Sequence, residues 1–163
     1  MRTQKNYPKQ LNLSDFQDKS LLILDDDDPL RGRLSRAMEK KGFIVKEAKT
    51  VSEGLQIVKN NPPPSFALVD LRLEDGSGLD VVKELSKSKK DCRIVMLTGY
   101  GNLPTAVAAV KAGAIDYMAK PVDADDVEAA LLASPESKAK PPENPMSADR
   151  VKWEHIHRVF ELC

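Results

Sequence analysis

The chain is poor in the residues that usually build covalent or metal frameworks. Among 163 residues there are two cysteines and two histidines. Cys92 and Cys163 are too few and too isolated to form a disulfide scaffold or a zinc site, so both read as ordinary thiols. His155 and His157 stand two apart in an expected helix, which turns them to different faces and argues against a shared metal. Net charge is also lacking: 25 basic residues balance 25 acidic ones. A global attraction to nucleic acid or to an anionic membrane is thereby excluded, though local patches are not. No apolar run is long enough to span a bilayer. The opening "MRTQKNYPKQ" has no apolar core of a secretory signal, so a cytoplasmic location is expected.

What is present is an alternation. Short apolar runs are followed by amphipathic stretches, five times over. The runs are "SLLIL" (20–24), "FIVKEA" (43–48), "FALVD" (66–70), "RIVML" (93–97) and "DYMA" (116–119). The stretches between and after them, 29–42, 50–60, 78–88, 103–113 and 123–133, carry helical periodicity. Asp28 is the expected cap of the first helix, with Pro29 in its first turn, Gly42 at its end and Asp27 as solvated charge. Thr50 and Glu53 stand at capping-box spacing, and Asp123 caps the last helix. "GSG" (76–78) lacks the context of a phosphate loop and reads as a turn before the third helix. "KSKKD" (87–91) reads as solvated surface. Five strand–helix units imply an α/β fold: a five-stranded parallel doubly wound sheet with helices on both faces. Its ends fall at 20–133.

The flanks differ. Residues 1–19 are polar and aperiodic and read as a flexible arm. Residues 134–146, "SPESKAKPPENPM", hold four prolines and read as a semi-rigid linker. Residues 147–163 read as one more helix, capped by Ser147, with Trp153, Ile156, Phe160 and Cys163 on one apolar face that calls for a partner.

In a doubly wound sheet the site lies at the carboxyl ends of the strands. The first strand delivers Asp25 and Asp26 there, the third Asp70, the fourth Thr98 and the fifth Lys120. Carboxylates about 4 Å apart repel strongly in a low dielectric. Either one is protonated or a cation sits among them, and oxygen-only ligands favour Mg²⁺. A cation, a lysine and a hydroxyl around a third carboxylate suit phosphoryl chemistry, with the carboxylate able to act as nucleophile.

The segments "LLILDDDDP", "ALVDLRL", "VMLTGYG" and "DYMAKP" resemble the receiver domain of two-component response regulators, a flavodoxin-like fold. Asp26 and Asp70 are 44 residues apart, and Thr98 and Lys120 are 22 apart, as in that family. The resemblance implies that Asp70 accepts a phosphoryl group from a histidine kinase. It implies that Asp25, Asp26, Asp70 and the backbone carbonyl of Arg72 hold Mg²⁺. Thr98 and Lys120 would assist the transfer, and Thr98 and Tyr117 would switch conformation. A cis peptide is implied at Lys120–Pro121, and dimerisation on phosphorylation. Such a domain is not an enzyme beyond its own phosphoryl transfer and dephosphorylation.

Further segments, "RAMEKKGF", "DLRLEDGSGLDVV", "AVAAVKAGAIDY", "KPVDADDVEAALLA" and "PPENPMSADRVKWEH", resemble redox-responding global regulators of the RegA/ActR/PrrA type. There a proline hinge leads to a Fis-like helix-turn-helix domain that controls transcription. Residues 147–163 match only its first helix, and "FELC" is followed by no candidate recognition helix. DNA binding is therefore expected of a longer parent protein. Two other readings compete. One is an interaction module that works without phosphorylation. The other is a haloacid-dehalogenase-type phosphatase using the Asp-x-Asp within "DDDD", with Asp25 as nucleophile and Asp27 as acid/base.

Overall fold

The computed structural model describes residues 10–60, 62–99 and 103–134. The expected linker beyond Ser134 and the expected helix at 147–163 lie outside the described residues.

Five strands form the main sheet: β1 (Ser20–Leu24), β2 (Ile44–Ala48), β3 (Phe66–Asp70), β6 (Arg93–Thr98) and β7 (Asp116–Ala119). Between β3 and β6 a short antiparallel hairpin, β4 (Arg72–Leu73) and β5 (Gly76–Ser77), precedes a helix. The helices are α1 (Asp28–Lys40), α2 (Val51–Asn60), α3 (Gly78–Ser88), α4 (Leu103–Ala112) and α5 (Ala124–Leu131). The sheet order is β2-β1-β3-β6-β7 and every pairing in it is parallel. The order reverses direction beside β1, which opens a crevice at the carboxyl ends of β1 and β3.

The fully apolar strands follow from burial on both faces. Side chains alternate between two cores. Leu22, Leu24, Ala67, Val69, Ile94 and Met96 face one that α2, α3 and α4 cover through Val58, Val81, Leu85 and Ala109. Leu21, Ile23, Phe66, Leu68, Val95 and Leu97 face the other, covered by Leu34 and Met38 of α1 and Val127 and Leu131 of α5. Each such leucine or isoleucine contributes about 1.5–3 kcal/mol by leaving water. A one-residue slip would exchange the two sets, so the register is set by the whole pattern.

Three local features differ from the sequence reading. The cap of α1 is Asp27, whose Oδ1 accepts the Leu30 N–H at 3.0 Å. Asp28 is instead the first helical residue and pairs with Arg31. Secondly, "GSG" is more than a turn: Gly76 and Ser77 form β5, and Ser77 caps α3 through the Leu79 N–H. Thirdly, residues 10–19 are not a free arm. Gln10 bridges to Ala133, the Leu11 N–H donates to the Leu132 carbonyl at 2.6 Å, and residues Leu13–Asp15 make a 3₁₀ turn. Leu13 and Phe16 pack on the core, with the Phe16 ring edge-on to Phe66 at 5.0 Å. Leu13 and Phe16, three apart, supply the apolar surface that this mostly polar stretch packs on the core. The end of α5 is fastened a second time, because the Arg93 guanidinium donates to the Leu131 and Ala133 carbonyls.

Other expectations hold. Glu53 N–H donates to Thr50 Oγ1 at 3.0 Å, and Asp126 N–H to Asp123 Oδ1 at 2.8 Å. The Lys120–Pro121 peptide is cis.

Candidate functional site

β1 ends at Leu24, and the chain turns at once into α1. Asp25 is held between them. Its N–H donates to the Ala48 carbonyl at 3.1 Å, and its Oδ1 accepts the Asp27 N–H at 2.9 Å. The residue is 1% exposed. β3 ends at Asp70, which is 5% exposed. The β3–β4 turn is pinned below it, with Leu71 N–H bonded to the Leu97 carbonyl and Gly78 N–H to the Leu71 carbonyl, both at 2.8 Å. β6 brings Thr98, also buried, to the same level. β7 leads directly to Lys120, whose N–H donates to the Thr98 carbonyl at 2.8 Å.

These strand ends bring the expected groups together. Carboxylate oxygens of Asp25, Asp26 and Asp70 all lie within 4.8 Å of one another. Lys120 Nζ stands 2.9 Å from Asp25 Oδ2 and 3.3 Å from Asp70 Oδ2. Asp25 Oδ2 has no hydrogen bond of good alignment, although it is fully buried, so Lys120 meets it as a charge rather than as an aligned donor. An oxygen in that position is one that a cation would satisfy.

The electrostatics agree. Burial is the main cause pushing the Asp70 carboxyl up to about 6, with the Asp25 charge second and Lys120 opposing both. For Lys120, burial works against the ammonium, but the contact with Asp25 and the charges of Asp25 and Asp70 more than offset it and hold its proton firmly. One cation therefore serves two buried carboxylates, with Asp26 close by. Such a cluster is short of positive charge, and three oxygen donors from three carboxylates are the chemistry of a hard divalent cation.

The remaining expected residues take these places. Arg72 follows Asp70 by two residues, at the start of β4. Tyr117 is fully buried on β7, in the core that α2, α3 and α4 cover. Beside Lys120 an open cleft of about 450 Å³ is lined by Asp27, Pro29, Leu30, Gly99 and Pro121 among others. Asp27 Oδ1 accepts the Leu30 N–H as the cap of α1.

One residue near the site carries no signal in the sequence reading. Asp75, at the tip of the β4–β5 hairpin, accepts the Val51 N–H at 2.7 Å and the Ser52 N–H at 3.0 Å. It ties the turn beyond Asp70 to the N-terminus of α2. Asp75 and Val51 are 24 residues apart, and only the "DG" pair at 75–76 hints at the hairpin.

Comparison with known proteins gives a consistent result. The family model of the response regulator receiver domain matches residues 21–132. The chain is 60% identical over 146 residues to the photosynthetic apparatus regulatory protein RegA of Cereibacter sphaeroides, covering 90% of this chain and 79% of that protein. It is 58% identical to the acid tolerance regulatory protein ActR of Rhizobium meliloti, covering 90% and 75%. Among solved structures, a response regulator from Burkholderia pseudomallei, determined with a phosphorylated aspartic acid, a calcium ion and citrate, superposes with a TM-score of 0.70 at 36% identity, over 89% of this chain and 85% of that one. A CheY-like receiver domain from Methanospirillum hungatei gives 0.64 at 26% identity, over 88% and 99%.

Proposed function

Since the chain belongs to the response regulator receiver family, we propose that Asp70 is its phosphoacceptor and that phosphorylation there, donated by a histidine kinase, is its switch. The observation that carries this reading is the placement of Lys120 Nζ between the buried carboxylates of Asp25 and Asp70, with Asp26 within reach of both.

Asp25, Asp26 and Asp70, with the backbone carbonyl of Arg72, would hold Mg²⁺. When bound, the cation neutralises charge on Asp70 and on the incoming phosphoryl oxygens. The protein's own groups do the rest. A carboxylate oxygen of Asp70 forms a bond to phosphorus while the bond from phosphorus to the donor's leaving group breaks, and the leaving group departs with that electron pair. Lys120, already beside Asp70, faces the new negative charge without moving far. Positioning and charge stabilisation are what the transfer requires, so no general base is needed. Thr98, at the end of β6, supplies a hydroxyl to the phosphoryl group, and Tyr117 responds to that movement. The cleft beside Lys120 gives a phosphodonor access.

Phosphorylation then biases a two-state domain through a local change of charge. The output is association of two copies and, in a protein carrying the full helix-turn-helix domain, control of transcription. The chain catalyses only its own phosphorylation and dephosphorylation. Among the described residues no helix is long and apolar enough to cross a membrane, which suits a cytoplasmic partner of a sensor kinase.

The test is intact mass after incubation with Mg²⁺ and acetyl phosphate, for wild type and Asp70→Asn, with the same samples passed over a sizing column. One phosphoryl adduct on wild type alone, with a shift towards dimer, is the expected result. An adduct that survives Asp70→Asn, or none on wild type, would refute the assignment.

A further inference from the structure

Arg31 is placed beside the acidic cluster and has no part in the chemistry set out above. It stands in the first turn of α1 with a side chain only 15% exposed. Three of its nitrogens are committed to three oxygens: one in the β1–α1 connection, one on α1 and one on β2. Nη1 donates to the backbone carbonyl of Asp25 at 2.7 Å, Nη2 to Asp28 Oδ1 at 2.6 Å and Nε to Glu47 Oε1 at 3.0 Å. The first acceptor lies past the end of β1, the second opens α1, and the third is on β2.

We propose that Arg31 is a positioning residue for the cation site: it fixes the peptide plane between Asp25 and Asp26 and so sets where both carboxylates point. The inference rests on the reading of that site under Proposed function.

The physical argument starts from the peptide. The Asp25 carbonyl and the Asp26 N–H belong to one rigid plane. Fixing the carbonyl fixes the direction in which Asp26 leaves the strand. Asp25 is already held at its N–H by Ala48 and at its side chain by the Asp27 N–H. Its carbonyl points past the last rung of the sheet, and Arg31 supplies the restraint that the ladder no longer can. The Arg31 N–H in turn donates to the Asp27 carbonyl at 2.9 Å. The turn from Asp25 to Asp28 is therefore closed on itself from both the backbone and the side chain of one residue.

Charge could defeat such a device, because a guanidinium beside a cation site repels the cation. Here Asp28 and Glu47 flank it, one negative charge each, and the pair outweighs it. The geometry is delivered without a net positive field. The same two contacts more than offset the burial that works against the guanidinium's charge.

The requirement is for arginine in particular. Its planar fork presents donors in fixed, divergent directions, whereas a lysine carries all its donors on one atom and cannot span these three separate acceptors. Arg31→Lys keeps the charge and loses the frame. Groups that orient metal ligands without touching the metal typically change affinity by about 10–100-fold when removed.

The experiment is calorimetric titration of the metal-free full chain with Mg²⁺, for wild type, Arg31→Lys, Arg31→Ala and Glu47→Gln, each with its thermal midpoint recorded without Mg²⁺. Wild type is expected to bind. Arg31→Lys and Arg31→Ala should bind about tenfold more weakly or worse, each still showing a cooperative thermal transition well above the titration temperature. Glu47→Gln should stay within about twofold, because the amide oxygen it introduces can still accept from Nε and the Asp25 contact is untouched. Wild-type affinity in Arg31→Lys would overturn the proposal. So would an equal loss in Glu47→Gln, which would point to charge rather than position. Failure of wild type itself to bind Mg²⁺ would instead overturn the reading of the site, and this inference with it.

Discussion

Gly78 lies so close to Asp70 that a Cβ placed on it would stand 2.1 Å from the Asp70 carbonyl oxygen. The same Cβ would be 2.8 Å from Val69 Cγ1. The oxygen belongs to the backbone of β3, so no rotamer change relieves the clash. Gly78→Ala is expected to cost about 3 kcal/mol or more and to lower the thermal midpoint by about 10 °C. Gly32→Ala is the matched control. On the surface of α1 its Cβ would meet only Arg36 Nη1 at 3.4 Å, and the change should stabilise by about 0.5–1 kcal/mol. Equal midpoints for the two variants would contradict the close approach.

Phe16 anchors the N-terminal segment. Its ring packs edge-on against Phe66, which Phe43 meets from another side at 5.1 Å. Phe16→Ala should cost about 2 kcal/mol in urea unfolding. A change below about 0.5 kcal/mol, the ordinary surface range, would mean that residues 10–19 do not dock.

Asp18 gives a pH signature. Burial alone would raise its carboxyl, but bonds from the Ser20 N–H, the Ser20 hydroxyl and the Ser65 hydroxyl hold it below the ordinary value of 3.8. A depressed carboxyl stabilises the fold fully above 3.8 and loses that contribution as pH falls through the lower, folded value. Asp18 is largely exposed, so solvent screening keeps the effect below about 1 kcal/mol. Asp18→Asn should therefore melt slightly below wild type at neutral pH, with the gap closing in the acid range. A gap that widens on acidification would show the sign to be wrong.

Cys92 should be chemically silent. It is 5% exposed, and burial pushes its thiol up to about 12. At pH 8 only about one molecule in ten thousand would carry the reactive thiolate. Iodoacetamide should leave the peptide containing Cys92 unmodified in the native protein and label it in denaturant. Native labelling at pH 8 would be the contrary result.

The sequence is most legible where many residues share one burden. Five short runs alternating with helical stretches point to a parallel sheet whose strand ends meet at one edge, even though β2, with Lys46 and Glu47, is a largely exposed edge strand. Topology alone therefore places Asp25, Asp26, Asp70, Thr98 and Lys120 together, with no distance needed. It is least legible where one residue decides between equals. Asp27 and Asp28 are chemically identical neighbours, and only the reach of Asp27 to the Leu30 N–H makes it the cap. Asp75 capping α2 joins positions far apart in the chain, and no local pattern encodes that. The docking of the N-terminal segment is hidden because Leu11, Leu13 and Phe16 are three apolar residues in a mostly polar stretch, too few for a period. Arg31 looks like any surface residue of a basic helix until its three acceptors are in view.

β6 has a further consequence. Its last residue, Thr98, stands at the acidic cluster. Its first, Arg93, grips the carbonyls at the end of α5, just before the chain runs on past Ser134. The strand is paired to β3 along Arg93–Leu97 and to β7 along Val95–Thr98, and spans about 17 Å at the usual rise per residue. The place where a phosphoryl charge would arrive and the place from which the rest of the chain departs are thus two ends of one stiff rod.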